Sequence, residues 1–338
     1  MTRRMLTVVA AALLALTLGV IGATLPVPYV ALGPGPTYDT LGTYEDAEIV
    51  SVDGIPEYPT SGQLNMTTVS VTDRLSLFTS LYFWAAGDRR VIPREAVFPS
   101  DRSDAEIQAE NAAQFEGSEA NAVAAAVNEL GLPARVLVGG VVPDSPAVGV
   151  LEAGDELVTV AGQPVATAAE VSERLAGALP GETVTIVYRR GGAERQADIV
   201  LGTSPDRPQG FLGVRPTVEP QEGEIDISLN GIGGPSAGLM FALAVVDRLT
   251  PGELTGGRFV AGTGAIDPGG AVGAIDGVPF KMLKAREVGA EVFLVPDGNC
   301  AEAAATAPDG LQLVRVASLG DAVDALDALR EGRPVTSC

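Results

Sequence analysis

A chain without histidine needs another base if one of its serines is to act as a nucleophile. This 338-residue sequence poses that problem in one short stretch, "IGGPSAG" at 232–238, where Ser236 follows a glycine-rich turn and precedes a long apolar run. Pro235 opens that run and no charge interrupts it before Asp247, so it reads as a buried helix. An alkoxide forming at Ser236 would face the positive end of the helix and its free N–H groups. Gly233 and Gly234 let the backbone approach a substrate closely. The same turn also fits a plain helix cap.

Lysine is the next candidate base. The 22 basic residues include only two lysines, Lys281 and Lys284, three positions apart in "VPFKMLKAREVG". Arginine stays protonated inside proteins, whereas a buried lysine can release its proton. A serine with a neutral lysine beside it can carry out nucleophilic acyl transfer. A metal centre is not expected, because no histidine and two distant cysteines leave only carboxylates, and no EF-hand loop is present.

The elements that must position these residues belong to an unusual chain. At 46% apolar and 19% charged residues it is neither disordered nor fibrous. A net charge of -21 argues against nucleic acid as a partner and against general adhesion to anionic lipid. Residues 5–38 carry no charge, and the apolar part from Met5 to Leu25 is long enough to span a bilayer. Arg3 and Arg4 precede it, which puts the N-terminus in the cytoplasm and the body outside. A cleaved signal peptide is the competing reading, and both export the body. Two cysteines in an exported chain are expected to pair, so Cys300 and Cys338 are candidate disulfide partners.

Strands are expected over 45–75, and a helix over 76–87, which could rest near the bilayer surface but is expected to pack on those strands. Two helices broken near Gly117 are expected over 103–131. Residues 134–202 alternate strand-like runs with turns around one helix at about 167–178. The remainder alternates helices and strands, which means an α/β layer. Helices are expected at 236–249, 279–289, 300–306 and 319–331.

Two stretches resemble known families. From "SPA" through "L.AGD.LVTV.G.PV" to "V...L....PGE.V.I...R.G", residues 134–202 resemble a bacterial PDZ domain. The helix and a neighbouring edge strand would then form a groove for an extended peptide. The loop that grips a C-terminal carboxylate in such domains is poorly matched by "LPARVLVGG". "GGPSAG" followed by "GTGAID..G.VG.IDGV..K...A...GA..FLVP" resembles the proteolytic domain of Lon proteases. That family uses a Ser–Lys dyad about 45 residues apart, which matches Ser236 and Lys281 rather than Lys284. The resemblance also places Thr263 where the family holds its lysine. This chain has Gly233 where Lon carries an acidic residue.

The layout as a whole resembles membrane-anchored bacterial PDZ–Lon proteases. It implies an anchor at 1–30, an α+β region at 31–125, a β-rich PDZ-like domain at 126–205 and an α/β Lon-type domain at 206–338. It implies a serine endopeptidase, without a cofactor, whose body lies on the extracytoplasmic side. No Walker A motif surrounds either lysine, so no ATP is expected, and substrates should be unfolded or flexible polypeptides. Lon domains often form rings, which makes a homo-oligomer an expectation. The alternative is a non-catalytic membrane adaptor with a peptide-binding PDZ unit and a degenerate Lon-like domain.

Overall fold

In a computed structural model describing residues 3–204, 207–229 and 231–338, the chain starts with the 22-residue helix α1 (Arg3–Thr24). At about 1.5 Å per residue it matches a hydrocarbon layer of about 30 Å. It is the one described helix long and apolar enough to cross a membrane. Strands β1 (Tyr29–Asp39), β2 (Val50–Asp53) and β3 (Gln63–Thr72) follow, then helix α2 (Leu77–Ala86) and strand β4 (Arg90–Pro93). The expected packing of the 76–87 helix on the strands is reversed: Leu77, Phe78, Leu81, Tyr82 and Trp84 are exposed, and Ser80 is the buried residue.

Helix α3 (Asp104–Glu129) is continuous, so the break expected near Gly117 is absent. A capping box starts it: Ser103 Oγ accepts from the Glu106 N–H, and the Glu106 carboxylate accepts from the Ser103 N–H. Gly117 faces open space. Its cost of about 1 kcal/mol relative to alanine is outweighed by the inward face, where Ile107, Phe115, Ala122 and Val123 are buried.

The next unit is antiparallel throughout. Strand β5 (Ala134–Val141), β6 (Glu156–Val160), helix α4 (Ala168–Leu175), β7 (Thr183–Arg190), β8 (Ala193–Val200) and β9 (Val214–Pro220) form a sheet in the order β8-β7-β6-β5-β9. Val136, Val138, Leu157, Ile186 and Tyr188 fill its own core. Strand β9 lies beyond the expected boundary at 205/206 and contains Pro216 and Pro220. Proline is tolerated there because β9 is an edge strand.

The chain ends with β10 (Glu224–Ile227), α5 (Gly238–Leu249), β11 (Phe259–Gly262), α6 (Val278–Glu287), β12 (Val292–Pro296), α7 (Cys300–Thr306), β13 (Gln312–Val316) and α8 (Leu319–Arg330). Strands from both ends of the sequence make one mixed sheet in the order β13-β12-β11-β3-β1-β4. Strand β3 pairs in parallel with β11 and antiparallel with β1. The region expected to stand apart at 31–125 therefore shares a sheet with 206–338. The reason lies in β3, whose Leu64, Asn65, Met66 and Thr67 are all buried and need neighbours on both edges.

Both faces of this sheet are covered, as parallel strands require. Val260, Val292, Leu294 and Val314 share one core with α3, α5 and α8. Ala261, Phe293, Val295 and Leu313 alternate to the other face, under α6 and α7. A disulfide joins Cys300 on α7 to Cys338.

Candidate active site

Helices α5 and α6 cover opposite faces of the mixed sheet, so their residues can meet only at its rim. They do so at the carboxyl end of β11, where α/β folds commonly place ligands. Lys281 Nζ on α6 donates to Ser236 Oγ at 2.7 Å and to Thr263 Oγ1 at 2.8 Å. Thr263 follows β11 directly, and its hydroxyl donates to the Ser236 carbonyl at 3.0 Å. The Gly264 N–H donates to the same carbonyl at 2.9 Å.

These contacts fix a direction for protons. Thr263 uses its single O–H on a carbonyl, which can only accept, so its oxygen is left to accept from Nζ. A neutral Lys281 then points an N–H at Thr263 and can turn its lone pair toward the Ser236 hydroxyl. Lys281 is 2% exposed. Burial lowers its pKa from 10.5 to about 7, while the Asp276 carboxylate pulls in the opposite direction. Keeping the amine charged thus costs on the order of 5 kcal/mol more here than in water, at ~1.4 kcal/mol per tenfold change in protonation. Lys284, one turn on, instead forms a surface pair with Glu287 at 3.2 Å.

The loop before Ser236 rests on α3. The Gly234 N–H donates to the Asn111 carbonyl at 3.0 Å, and Gly234 has φ 92°, which favours glycine. A Cβ on Gly233 would meet Asn111 Cβ at 3.0 Å. Ser118 Oγ donates to the Pro235 carbonyl at 3.3 Å, and Asn121 Nδ2 to the Ile266 carbonyl at 3.0 Å. Sequence reasoning passed over Asn111, Ser118 and Asn121. A signal was present: Ile107, Asn111, Phe115, Ser118 and Ala122 recur at helical spacing, and two polar residues interrupt that stripe. It also passed over Asp276, and over Glu119, whose carboxyl is raised to about 7 by burial and by Asp226 and Glu116, with the Leu229 N–H opposing.

Ser236 and Lys281 line a cleft of about 680 Å³. Leu32, Tyr38, Met66, Phe115 and Ile232 contribute apolar wall, which suits an extended segment with an apolar side chain. A second groove, of about 210 Å³, runs between Val171 and Leu175 of α4 and residues 209–214. The "GFLGV" stretch at 210–214, which lines this groove and leads into edge strand β9, has the glycine-and-apolar make-up that "LPARVLVGG" lacks. Among the described residues no cluster of three or more metal-ligating side chains occurs.

Residues 108–201 match the family model of the PDZ domain, and residues 231–326 that of the Lon protease (S16) C-terminal proteolytic domain. A curated relative, a probable periplasmic serine endoprotease, DegP-like, of Ectopseudomonas mendocina (strain ymp), is 32% identical over 78 residues, 23% of this chain. The chain matches only 16% of that relative's length, in the PDZ region. Among solved structures, the PDZ domain of an SdrC-like protein from Listeria monocytogenes is 32% identical, covering 23% of this chain and 83% of that one with a TM-score of 0.22. Its counterpart from Listeria innocua is 29% identical, covering 24% and 92% with a TM-score of 0.23. The chain carries a PDZ domain followed by a Lon-type proteolytic domain, and these matches support a serine protease.

Proposed function

We propose that this chain is a membrane-anchored, ATP-independent serine endopeptidase with Ser236 as nucleophile and Lys281 as general base. One observation carries the reading. Lysine, which occurs only twice in the chain, supplies a buried amine, titrating at about 7, within 2.7 Å of a serine hydroxyl in a cleft of about 680 Å³.

The neutral Nζ takes the Ser236 proton as Oγ bonds to the scissile carbonyl carbon. The oxyanion would be received at the start of α5, where the Ser236 and Ala237 N–H groups have no hydrogen-bond partner among the described residues. Collapse breaks the C–N bond, and the leaving amine takes the proton from Nζ. A water molecule then gives a proton to Nζ and attacks the acyl carbon; the C–Oγ bond breaks, Nζ returns that proton to Oγ, and the new carboxyl product leaves with Ser236 restored. Thr263 holds the amine in place through both halves.

The cleft takes extended chain, and the sequence has no Walker A motif to drive unfolding, so substrates are unfolded or flexible exported and envelope proteins. Helix α1 anchors the protein with Arg3 and Arg4 on the cytoplasmic side and the body outside. The Cys300–Cys338 disulfide fits that oxidising side. The groove beside α4 captures a substrate segment as an added strand on β9.

A fluorophosphonate or peptidyl-boronate probe tests the reading. Purified protein should be labelled at one site, and Ser236→Ala should abolish labelling. Labelling that survives Ser236→Ala, or none under any condition, would leave the non-catalytic adaptor as the better account.

A further inference from the structure

Helix α2 is built inside out for a water-exposed helix. Its one buried residue is small and polar, Ser80, whose hydroxyl is satisfied by the Ser76 carbonyl at 3.0 Å, and Phe83 beside it is half-buried. Its outward residues are the large apolar ones, Leu77, Phe78, Leu81, Tyr82 and Trp84, with Trp84 76% exposed. A surface helix in water has the opposite pattern. A contiguous apolar patch of this size marks an interaction surface.

Position says what covers it. Helix α2 starts where α1 ends: the Val27 N–H donates to the Leu75 carbonyl at 2.7 Å, and Pro26 bridges to Ser76. The Phe78 ring lies on Gly22, the one buried residue of α1. Arg89 and Arg90 follow the helix and join no ion pair among the described residues, a local cationic rim on a chain of net charge -21. Tyr and Trp above apolar side chains, with arginines at the edge, are the residue types that settle at the boundary between acyl chains and phosphate headgroups.

We infer that α2 lies in the headgroup–acyl boundary of the bilayer that α1 spans and docks the β1/β4 end of the mixed sheet on the membrane. The inference rests on the reading of α1 as an anchor. It has a consequence for substrates. The cleft wall begins at Leu32, three residues along β1 from Tyr29, a rise of about 10 Å. A docked α2 holds the cleft within reach of chain that has just left the bilayer, so membrane-tethered segments become favoured substrates.

Trp84 is the chain's only tryptophan, which makes the test direct. Full-length protein is reconstituted into phosphatidylcholine–phosphatidylglycerol vesicles, and its flotation, intact mass and tryptophan emission are measured. Emission should be blue-shifted, quenched several-fold more by lipids brominated near the glycerol backbone than by lipids brominated at the chain ends, and nearly insensitive to iodide. The double variant Leu81→Glu with Tyr82→Glu should still float through α1 but regain iodide quenching. If intact protein floats while Trp84 is quenched by iodide and by no brominated lipid, the inference is overturned. Shielding from both quenchers means that protein, such as a second copy, covers α2 and overturns it too. If intact protein does not float, the anchor reading fails and this inference falls with it.

Discussion

Two buried charge-bearing side chains, one in the antiparallel unit and one beside the mixed sheet, take opposite routes. Asp155 in the antiparallel unit is 1% exposed and meets Arg190 through two contacts of 2.7 Å, Nε to Oδ1 and Nη2 to Oδ2. Burial alone pushes this carboxyl up, but hydrogen bonds from Arg190 and the Glu152 N–H outweigh it and hold the group below its ordinary range. Lys281, at 2% exposure, meets two hydroxyls and forms no ion pair among the described residues. Burial therefore wins, and the group gives up its charge near neutral pH. Near-complete burial of both side chains produces a fixed ion in one unit and an exchangeable proton in the other, and the difference is whether an opposite charge makes direct contact: Arg190 touches Asp155, whereas Asp276 acts on Lys281 without forming an ion pair. The first arrangement holds a turn in place and the second is suited to chemistry.

The strongest way to break this contrast is to remove the exchangeable proton. Ser236→Ala, Lys281→Ala and Lys281→Arg should each lower kcat/KM on an unstructured fluorogenic peptide by at least ~10³-fold with the fold intact by circular dichroism. Arginine is the informative case, since it keeps a charge and cannot act as a base. A near wild-type rate for Lys281→Arg would end the assignment.

The next largest effect belongs to the fixed ion. Arg190→Met leaves Asp155 buried without its partner, so the antiparallel unit should lose stability. Urea unfolding should register it in the antiparallel unit, while cleavage of a short peptide stays within twofold of wild type. A parallel collapse of peptide cleavage would mean that the two units are not separable in this way.

Acidity sharpens the comparison more gently. Peptide cleavage should rise about tenfold per pH unit below about 7 and level off above it, as Lys281 loses its proton. Stability follows the same group. Between about 7 and 10.5 the unfolded chain holds a proton on Lys281 that the folded chain lacks, so stability rises with pH across that window. The slope is about 1.4 kcal/mol per pH unit and should vanish in Lys281→Met. Asp155 behaves likewise only in acid: its contribution is present above 3.8 and is lost as pH falls through its lowered folded value. An unchanged slope in Lys281→Met would show that other groups carry the dependence.

What the sequence made legible follows from where the information sits. Ser236 and Lys281 stood out because lysine is scarce and histidine absent, and the helix that follows Ser236 and the one that carries Lys281 show helical spacing. The pairing of β3 with β11 joins residues nearly two hundred positions apart and leaves no local trace. Strand β9, "VRPTVEP", carries two prolines that mask its strand character, and only its edge position lets it join the second sheet. The outward face of α2 carries the spacing of a packed helix, and spacing cannot say which solvent that face meets.

The smallest effect tests the register of the dyad. Lys284 lies three residues from Lys281 on α6, about 300° around the helix, and its amine pairs with Glu287 at 3.2 Å near the surface. Exposed pairs of this kind contribute about 0–1 kcal/mol, and arginine can replace lysine in them with its charge unchanged. Lys284→Arg should therefore change stability by less than about 0.5 kcal/mol. It should also leave kcat/KM and the rise in activity near pH 7 where they are, because the titrating amine is one turn away and its hydroxyl partners are untouched. Steady-state kinetics across pH on the two variants side by side decides the matter. An inactive Lys284→Arg beside an active Lys281→Arg would move the base by one turn of α6 and take Thr263 out of the site with it.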